Sequence, residues 1–239
     1  MTTIAQRLQA IRARIHSAET AAGRQLNATT LLAVSKAQPA TLLREAFVAG
    51  QRLFGENYLQ ETLDKQATLT DLDIEWHFIG PIQSNKTHAI AQHFSWVHSI
   101  ERLKIAERLN AARPLHLPPL QVCIQVNVSG EDSKSGVLPQ EVYALAQAVI
   151  KLPNLKLRGL MAIPAPTIDI ARQRSQFGKV RELYEKLQAQ GFKLDTLSIG
   201  MSEDFPAAIT EGATMVRIGS AIFGARPSPE KQIPENNHA

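Results

Sequence analysis

The chain opens with Ile4, Leu8, Ile11 and Ile15 spaced so that they fall on one helical face, with polar residues between them. This predicts an amphipathic N-terminal helix packed outside a core. The next apolar stretch has another period: Leu31 to Ser35 is a short continuous run, the form taken by a strand buried on both faces. Further strand candidates follow at Arg52 to Phe54, Trp76 to Ile79, Trp96 to Ser99, Gln121 to Val128, Lys156 to Ala162, Thr196 to Ile199 and Met215 to Ile218. Helical patterns alternate with them at Thr41 to Gly50, Glu101 to Ala112, Gln140 to Leu152, Ala171 to Gln190 and Glu203 to Gly212. Strand alternating with helix implies parallel pairing, because antiparallel neighbours need only tight turns.

Eight such units in 239 residues fit the α/β class as a single closed (β/α)8 barrel of TIM type, preceded by the N-terminal helix, better than an open doubly wound sheet. The second and fourth strands are short and weakly patterned, so a seven-stranded or open sheet is the alternative. No linker interrupts the pattern, which predicts one barrel domain over 1–225. Residues 226–239, with three prolines and almost no apolar side chains, read as a disordered polar tail.

Composition narrows the class without changing it: 44% hydrophobic and 20% charged residues are ordinary for a globular chain. No apolar run approaches the ~18 residues of a membrane span, and the N-terminus lacks the apolar stretch of a signal peptide, so a cytoplasmic protein is expected. Cys123, the single cysteine, lies between Val122 and Ile124 and reads as a packed core thiol. The net charge of +4 comes from 26 basic and 22 acidic residues that are interleaved, with no zinc-finger spacing or aromatic-basic motif, so nucleic acid is not an expected partner. The seven histidines lack paired ligand spacing, and no metal centre is expected.

In a parallel barrel, functional groups gather at the C-terminal ends of the strands. Lys36 follows strand one there, Glu56-Asn57 strand two, Gly80 strand three, Asn127 strand five, Met161 strand six, Met201-Ser202 strand seven, and Arg217 with Gly219-Ser220 strand eight. Closure makes strands one and eight neighbours, which brings Lys36 and Arg217 to one opening. A lysine buried at a strand end beside a cation has its ammonium form disfavoured twice, by desolvation and by like charge, and such an amine suits Schiff-base formation with a carbonyl. A bare strand-end lysine otherwise snorkels to solvent. The glycine-containing loops after strands seven and eight add hydroxyls and backbone N–H groups, where barrels commonly bind phosphate. Each loop alone is an ordinary turn or cap. With a facing lysine, they point to a carbonyl compound bearing a phosphate.

The runs Ala33-Val34-Ser35-Lys36, Phe54-Gly55-Glu56-Asn57-Tyr58, Trp76-His77-Phe78-Ile79-Gly80, Gln83-Ser84-Asn85-Lys86, Ser133-Lys134-Ser135-Gly136, Gly159-Leu160-Met161, Gly200-Met201-Ser202 and Val216-Arg217-Ile218-Gly219, in this order and spacing, resemble the pyridoxal phosphate homeostasis proteins, relatives of the alanine racemase barrel. The resemblance spans roughly Ile4 to Gly224. It implies a bound pyridoxal 5'-phosphate in Schiff-base linkage to Lys36, with Ser202, Gly219 and Ser220 on the phosphate and Arg217 facing the pyridine nitrogen. Asn57, His77 and Met161 match positions around the ring. The family often has threonine at the position of Ser220; serine keeps the hydroxyl donor.

The implied role is holding, buffering or delivering pyridoxal phosphate within the cell, with apo forms of pyridoxal phosphate enzymes as candidate partners and a monomer as the expected state. A guanidinium donates only, so Arg217 beside the pyridine nitrogen favours the unprotonated ring, a poorer electron sink than a carboxylate would give. The alternative is a pyridoxal phosphate-dependent amino-acid racemase, which needs a second base; Tyr58 and His77 are the candidates. Lys134 reads as solvated, or as a transient second attachment point. A serine hydrolase is a further rival, since Gly200-Met201-Ser202-Glu203-Asp204 partly resembles a nucleophile elbow, but Asp204 stands where the second glycine belongs. A Schiff-base aldolase and a scaffold without cofactor complete the field.

Overall fold

Continuous apolar runs that bury both faces have become eight parallel strands: β1 (Thr30–Val34), β2 (Leu53–Glu56), β3 (Glu75–Phe78), β4 (Trp96–Ile100), β5 (Leu120–Val126), β6 (Leu155–Ala162), β7 (Thr196–Ser198) and β8 (Met215–Ile218). They hydrogen-bond in chain order and close into a barrel, with Leu32 of β1 opposite Arg217 of β8. The closure removes the open-sheet alternative. The structure is a computed structural model that describes residues 2–129 and 134–225; the tail expected over 226–239, and Ser133, lie outside the described residues.

Nine α-helices occur among the described residues: α1 (Ile4–Ala21), α2 (Ala40–Val48), α3 (Leu59–Thr68), α4 (Thr87–His93), α5 (Leu103–Ala112), α6 (Val142–Val149), α7 (Ile170–Ala189), α8 (Phe205–Thr210) and α9 (Ser220–Phe223). Helix α1 starts at a capping box in which the Thr3 hydroxyl accepts from Gln6 N–H and the Gln6 side chain accepts from Thr3 N–H. It buries Ile4, Leu8, Ile11 and Ile15, the face its spacing predicts. Helices α3, α4 and α9 lack a predictive pattern for identifiable reasons. The buried face of α3 carries Thr62 and Lys65 instead of apolar residues, and α4 and α9 have only seven and four residues. No helix of the described residues is long and apolar enough to cross a membrane.

The apolar core is divided in two. Strand faces and helices enclose a continuous outer layer that includes Phe54, Leu43, Ile90, Leu109 and Phe177, whereas Trp96, Cys123 and Met161 form a separate cluster. Burial pushes the Cys123 thiol up to about 12, so it remains protonated and packs as a small apolar group.

Candidate functional site

Lys36 lies two residues beyond β1, in a turn held from both sides by charge. Ser35 and Glu56 are buried, and Ser35 Oγ donates to Glu56 Oε1 at 2.6 Å. Lys65, on the inner face of α3, donates to the Ser35 carbonyl at 2.8 Å, to Glu56 Oε1 at 2.6 Å and to Glu61 Oε1. Glu61 also accepts from Ala37 N–H at 2.7 Å. The carbonyl before Lys36 and the N–H after it are thus both anchored to one buried ion cluster. Ala37 is held at φ +58°, a left-handed conformation that costs an L-residue about 1–2 kcal/mol. Burial leaves the Glu56 carboxyl raised above its ordinary value, with Lys65 and Ser35 opposing the rise only in part.

Above this turn a cavity of about 600 Å³ opens among the strand ends. Lys36, Asn57, Ser202, Arg217, Gly219 and Ser220 line it, so the barrel brings six of the eight expected site residues together. His77 and Met161, expected around a ring, are the exceptions and do not line this cavity. Side chains alternate along a strand, and the residues reaching the cavity are Ile79 and Ile163, each two positions further on. His77 and Met161 therefore sit one layer deeper. His77 stacks on Trp96 at 5.2 Å, and Met161 packs in the cluster with Trp96 and Cys123.

Two loops that are distant in sequence meet at one wall. Ser202, after β7, lies with its Oγ 3.4 Å from that of Ser220, after β8. Its hydroxyl neighbour is another hydroxyl and not an imidazole, which is not the setting of a hydrolase nucleophile. Gly219 allows close approach: a Cβ there would meet the Val34 carbonyl oxygen at 2.9 Å. Asp204, which the sequence did not single out for the cavity, accepts from Met201 N–H at 2.6 Å, and burial raises its carboxyl.

Arg217 is almost wholly buried and fixed from below. It donates to the Ser198 carbonyl, to Ser198 Oγ at 3.0 Å and to the Ala162 carbonyl at 3.0 Å. Burial lowers its guanidinium to about 10, which still leaves it cationic at neutral pH. Asn57 presents a contrast: its Oδ1 is buried with no hydrogen-bond partner among the described residues. Its backbone is fixed by Gly80, where a Cβ would meet the Asn57 carbonyl oxygen at 2.4 Å. An amine, a facing pair of hydroxyls, a guanidinium and an unsatisfied amide oxygen around one cavity fit an aromatic aldehyde phosphate. The lysine suits the aldehyde, the hydroxyls the phosphate, and the guanidinium a ring acceptor.

The alanine racemase N-terminal domain family matches residues 6–227. The chain is 62% identical over 226 residues to a pyridoxal phosphate homeostasis protein of Pseudomonas aeruginosa, covering 95% of this chain and 97% of that one. It is 52% identical over 234 residues to the pyridoxal phosphate homeostasis protein of Escherichia coli, covering 97% of this chain and 100% of that one. Among solved structures, PipY of Synechococcus elongatus with PLP bound superposes with a TM-score of 0.82 at 37% identity, over 93% of this chain and 100% of that one. Alanine racemase of Corynebacterium glutamicum shares the fold at a TM-score of 0.65 and 19% identity, over 93% of this chain and 62% of the longer enzyme.

Proposed function

Since the chain belongs to the pyridoxal phosphate homeostasis proteins, within the alanine racemase N-terminal domain family, we propose that it binds pyridoxal 5'-phosphate and acts in the homeostasis of that cofactor, holding it and passing it on. The observation that carries this is the opening of Lys36 and the facing hydroxyls of Ser202 and Ser220 on one cavity. When bound, the cofactor supplies an aldehyde that a lysine amine takes up reversibly with loss of water.

The residues of this chain divide the work. Lys36 holds the aldehyde carbon covalently, its backbone fixed by the Lys65 cluster. Ser202, Gly219 and Ser220 hold the phosphate, Arg217 meets the pyridine nitrogen, and Asn57 lends its unsatisfied Oδ1 to the ring side. A donor-only guanidinium at that nitrogen keeps the ring unprotonated and weakens it as an electron sink. That fits reversible carriage better than rapid carbanion chemistry. The cofactor-binding unit is the 1–225 barrel, acting as a cytoplasmic monomer that hands cofactor to apo forms of pyridoxal phosphate enzymes. Lys134, whose carbonyl accepts from Asn127 Nδ2 at 3.1 Å, is a candidate second attachment point.

The test starts from absorbance of the purified protein, followed by borohydride reduction and peptide mapping. The expected adduct is on Lys36, and a dominant adduct elsewhere with Lys36 unmodified overturns the assignment. Loaded protein should reactivate an apoenzyme, with Lys36→Ala as control, while chiral chromatography with free amino acids detects negligible turnover. Turnover above about 1 per second, the low end for enzymes, would instead establish the racemase alternative.

A further inference from the structure

The cofactor reading leaves the barrel interior unused, yet a continuous line of hydrogen bonds crosses it. Glu75 stands half-exposed in the wall of a second cavity, of about 560 Å³, at the opposite end of the barrel. His77 Nε2 lies 2.9 Å from Glu75 Oε1, and His77 Nδ1 lies 2.9 Å from His98 Nε2. His98 Nδ1 lies 3.0 Å from Ser198 Oγ, the same oxygen that accepts from Arg217 Nη1 at 3.0 Å. His77, His98, Ser198 and Arg217 are all buried.

Proton inventory fixes the direction of the line. Burial, opposed by Glu75, keeps His77 neutral; burial, reinforced by His77 and Arg217, keeps His98 neutral, so each ring carries one N–H. The hydrogen bond from His77 holds Glu75 below the usual carboxylate range, so Glu75 accepts and the proton of His77 is on Nε2. His77 Nδ1 must then accept, which puts the proton of His98 on Nε2. His98 Nδ1 accepts in turn from the Ser198 hydroxyl, whose oxygen is left to accept from Arg217. The other charged and titratable groups facing the line are Arg158, 4.7 Å over the Trp96 ring and paired with Asp195, the Asp204 carboxyl, which acts on Arg217 from the cavity side, and the protonated thiol of Cys123. None of these supplies a competing acceptor to the two imidazoles.

We propose that Glu75, His77, His98 and Ser198 are positioning residues that hold Arg217 in place as a donor-only cation at the cofactor cavity, with the direction of every hydrogen bond set from Glu75 at the far end of the barrel. The line stands on its own geometry; its bearing on a ring nitrogen rests on the pyridoxal phosphate reading.

The test uses the full chain, ¹⁵N-labelled and free of cofactor, and reads histidine tautomers by long-range ¹H–¹⁵N correlation. Both His77 and His98 are expected as neutral Nε2–H tautomers at pH 7. Glu75→Leu removes the terminal acceptor and should switch both rings to Nδ1–H, while Glu75→Gln keeps an acceptor oxygen and should retain the native pair. Either ring found cationic or as Nδ1–H in the wild type overturns the proposal, as do unchanged tautomers in Glu75→Leu. A second arm loads ring-¹⁵N pyridoxal phosphate. His98→Leu should shift the ring-nitrogen resonance and speed release by about two- to tenfold, the effect of one lost hydrogen bond. An unmoved resonance and release rate in that variant overturns the link to Arg217. Failure of the wild type to take up the cofactor would defeat the pyridoxal phosphate reading, and the tautomers would still decide the line.

Discussion

At the C-terminal mouth, Asn57 Oδ1 and Glu56 Oε2 are buried without a hydrogen-bond partner among the described residues, Ala37 is held at φ +58°, and two hydroxyls face one another at 3.4 Å. In the interior below, each link from Glu75 through both histidines to Ser198 and Arg217 closes at 2.9 to 3.0 Å. Both regions pay to bury polarity, but only the interior satisfies all of its line. A buried polar group costs stability unless it is bonded, so an interior network that is complete can serve as scaffold. The mouth keeps strain and unmet acceptors beside the residues that would touch a ligand, which is where such defects are expected to persist.

The sharpest way to break this contrast is to make the mouth's foundation incomplete. Lys65→Ala removes the ammonium that compensates Glu56, whose side chain is 0% exposed. Breaking a buried pair typically costs about 3–5 kcal/mol, and denaturant titration should show a loss of that size. A loss below about 1 kcal/mol would mean that the cluster is not what supports the Lys36 turn.

Removing hydroxyls at the cavity wall should cost retention instead of stability. Ser202→Ala and Ser220→Ala each remove a hydrogen bond to a charged group worth about 1.5–3 kcal/mol, and the double variant should release pyridoxal phosphate faster than either. Dilution followed by absorbance measures the rate. Wild-type release in the double variant would locate the phosphate elsewhere.

The unequal legibility of the two regions has a physical origin. Strands buried on both faces produce apolar runs, so all eight were readable within a few residues, and the barrel rule then placed Lys36, Ser202 and Arg217 at one opening. Depth within the barrel was not readable. A boundary uncertainty of one or two residues is the whole difference between the layer of His77 and that of Ile79. The ion cluster lay hidden in α3, where Lys65 takes an inward position that an apolar pattern would have revealed. The pairing of His98 with Ser198 joins residues 100 positions apart, and no local spacing encodes it.

The interior can be tested through pH. His77 and His98 have lowered pKa values in the folded state, so the unfolded chain binds their protons first as pH falls below about 6.5, the ordinary histidine value. Stability is therefore full above that pH and declines below it, until the folded-state histidines protonate. The slope is about 1.4 kcal/mol per pH unit for each histidine. Chemical denaturation between pH 7 and pH 5 should show it, and His77→Gln with His98→Gln should flatten it. A wild-type profile that is flat over this window would mean that the pair is protonated in the folded protein and does not form the directed line.

The smallest expected effect is at Ala37, where mouth and scaffold meet. Glycine adopts φ > 0 without the side-chain clash, so Ala37→Gly should recover about 1–2 kcal/mol of backbone strain. The same change makes the unfolded chain more flexible, at a cost of about 0.5–1 kcal/mol. The net expectation is a gain of about 0–1.5 kcal/mol, read as a small upward shift in the denaturation midpoint. The bonds from Ala37 N–H to Glu61 and from Lys65 to the Ser35 carbonyl use backbone atoms and persist in the variant, so the turn should keep its shape while losing its strain. If the strain serves the covalent attachment of Lys36, the relaxed variant should release pyridoxal phosphate faster while being the more stable protein, the reverse of Lys65→Ala on stability. A loss of stability of more than about 1 kcal/mol in Ala37→Gly would show that the methyl group packs favourably there, and the mouth would then be no more strained than the interior.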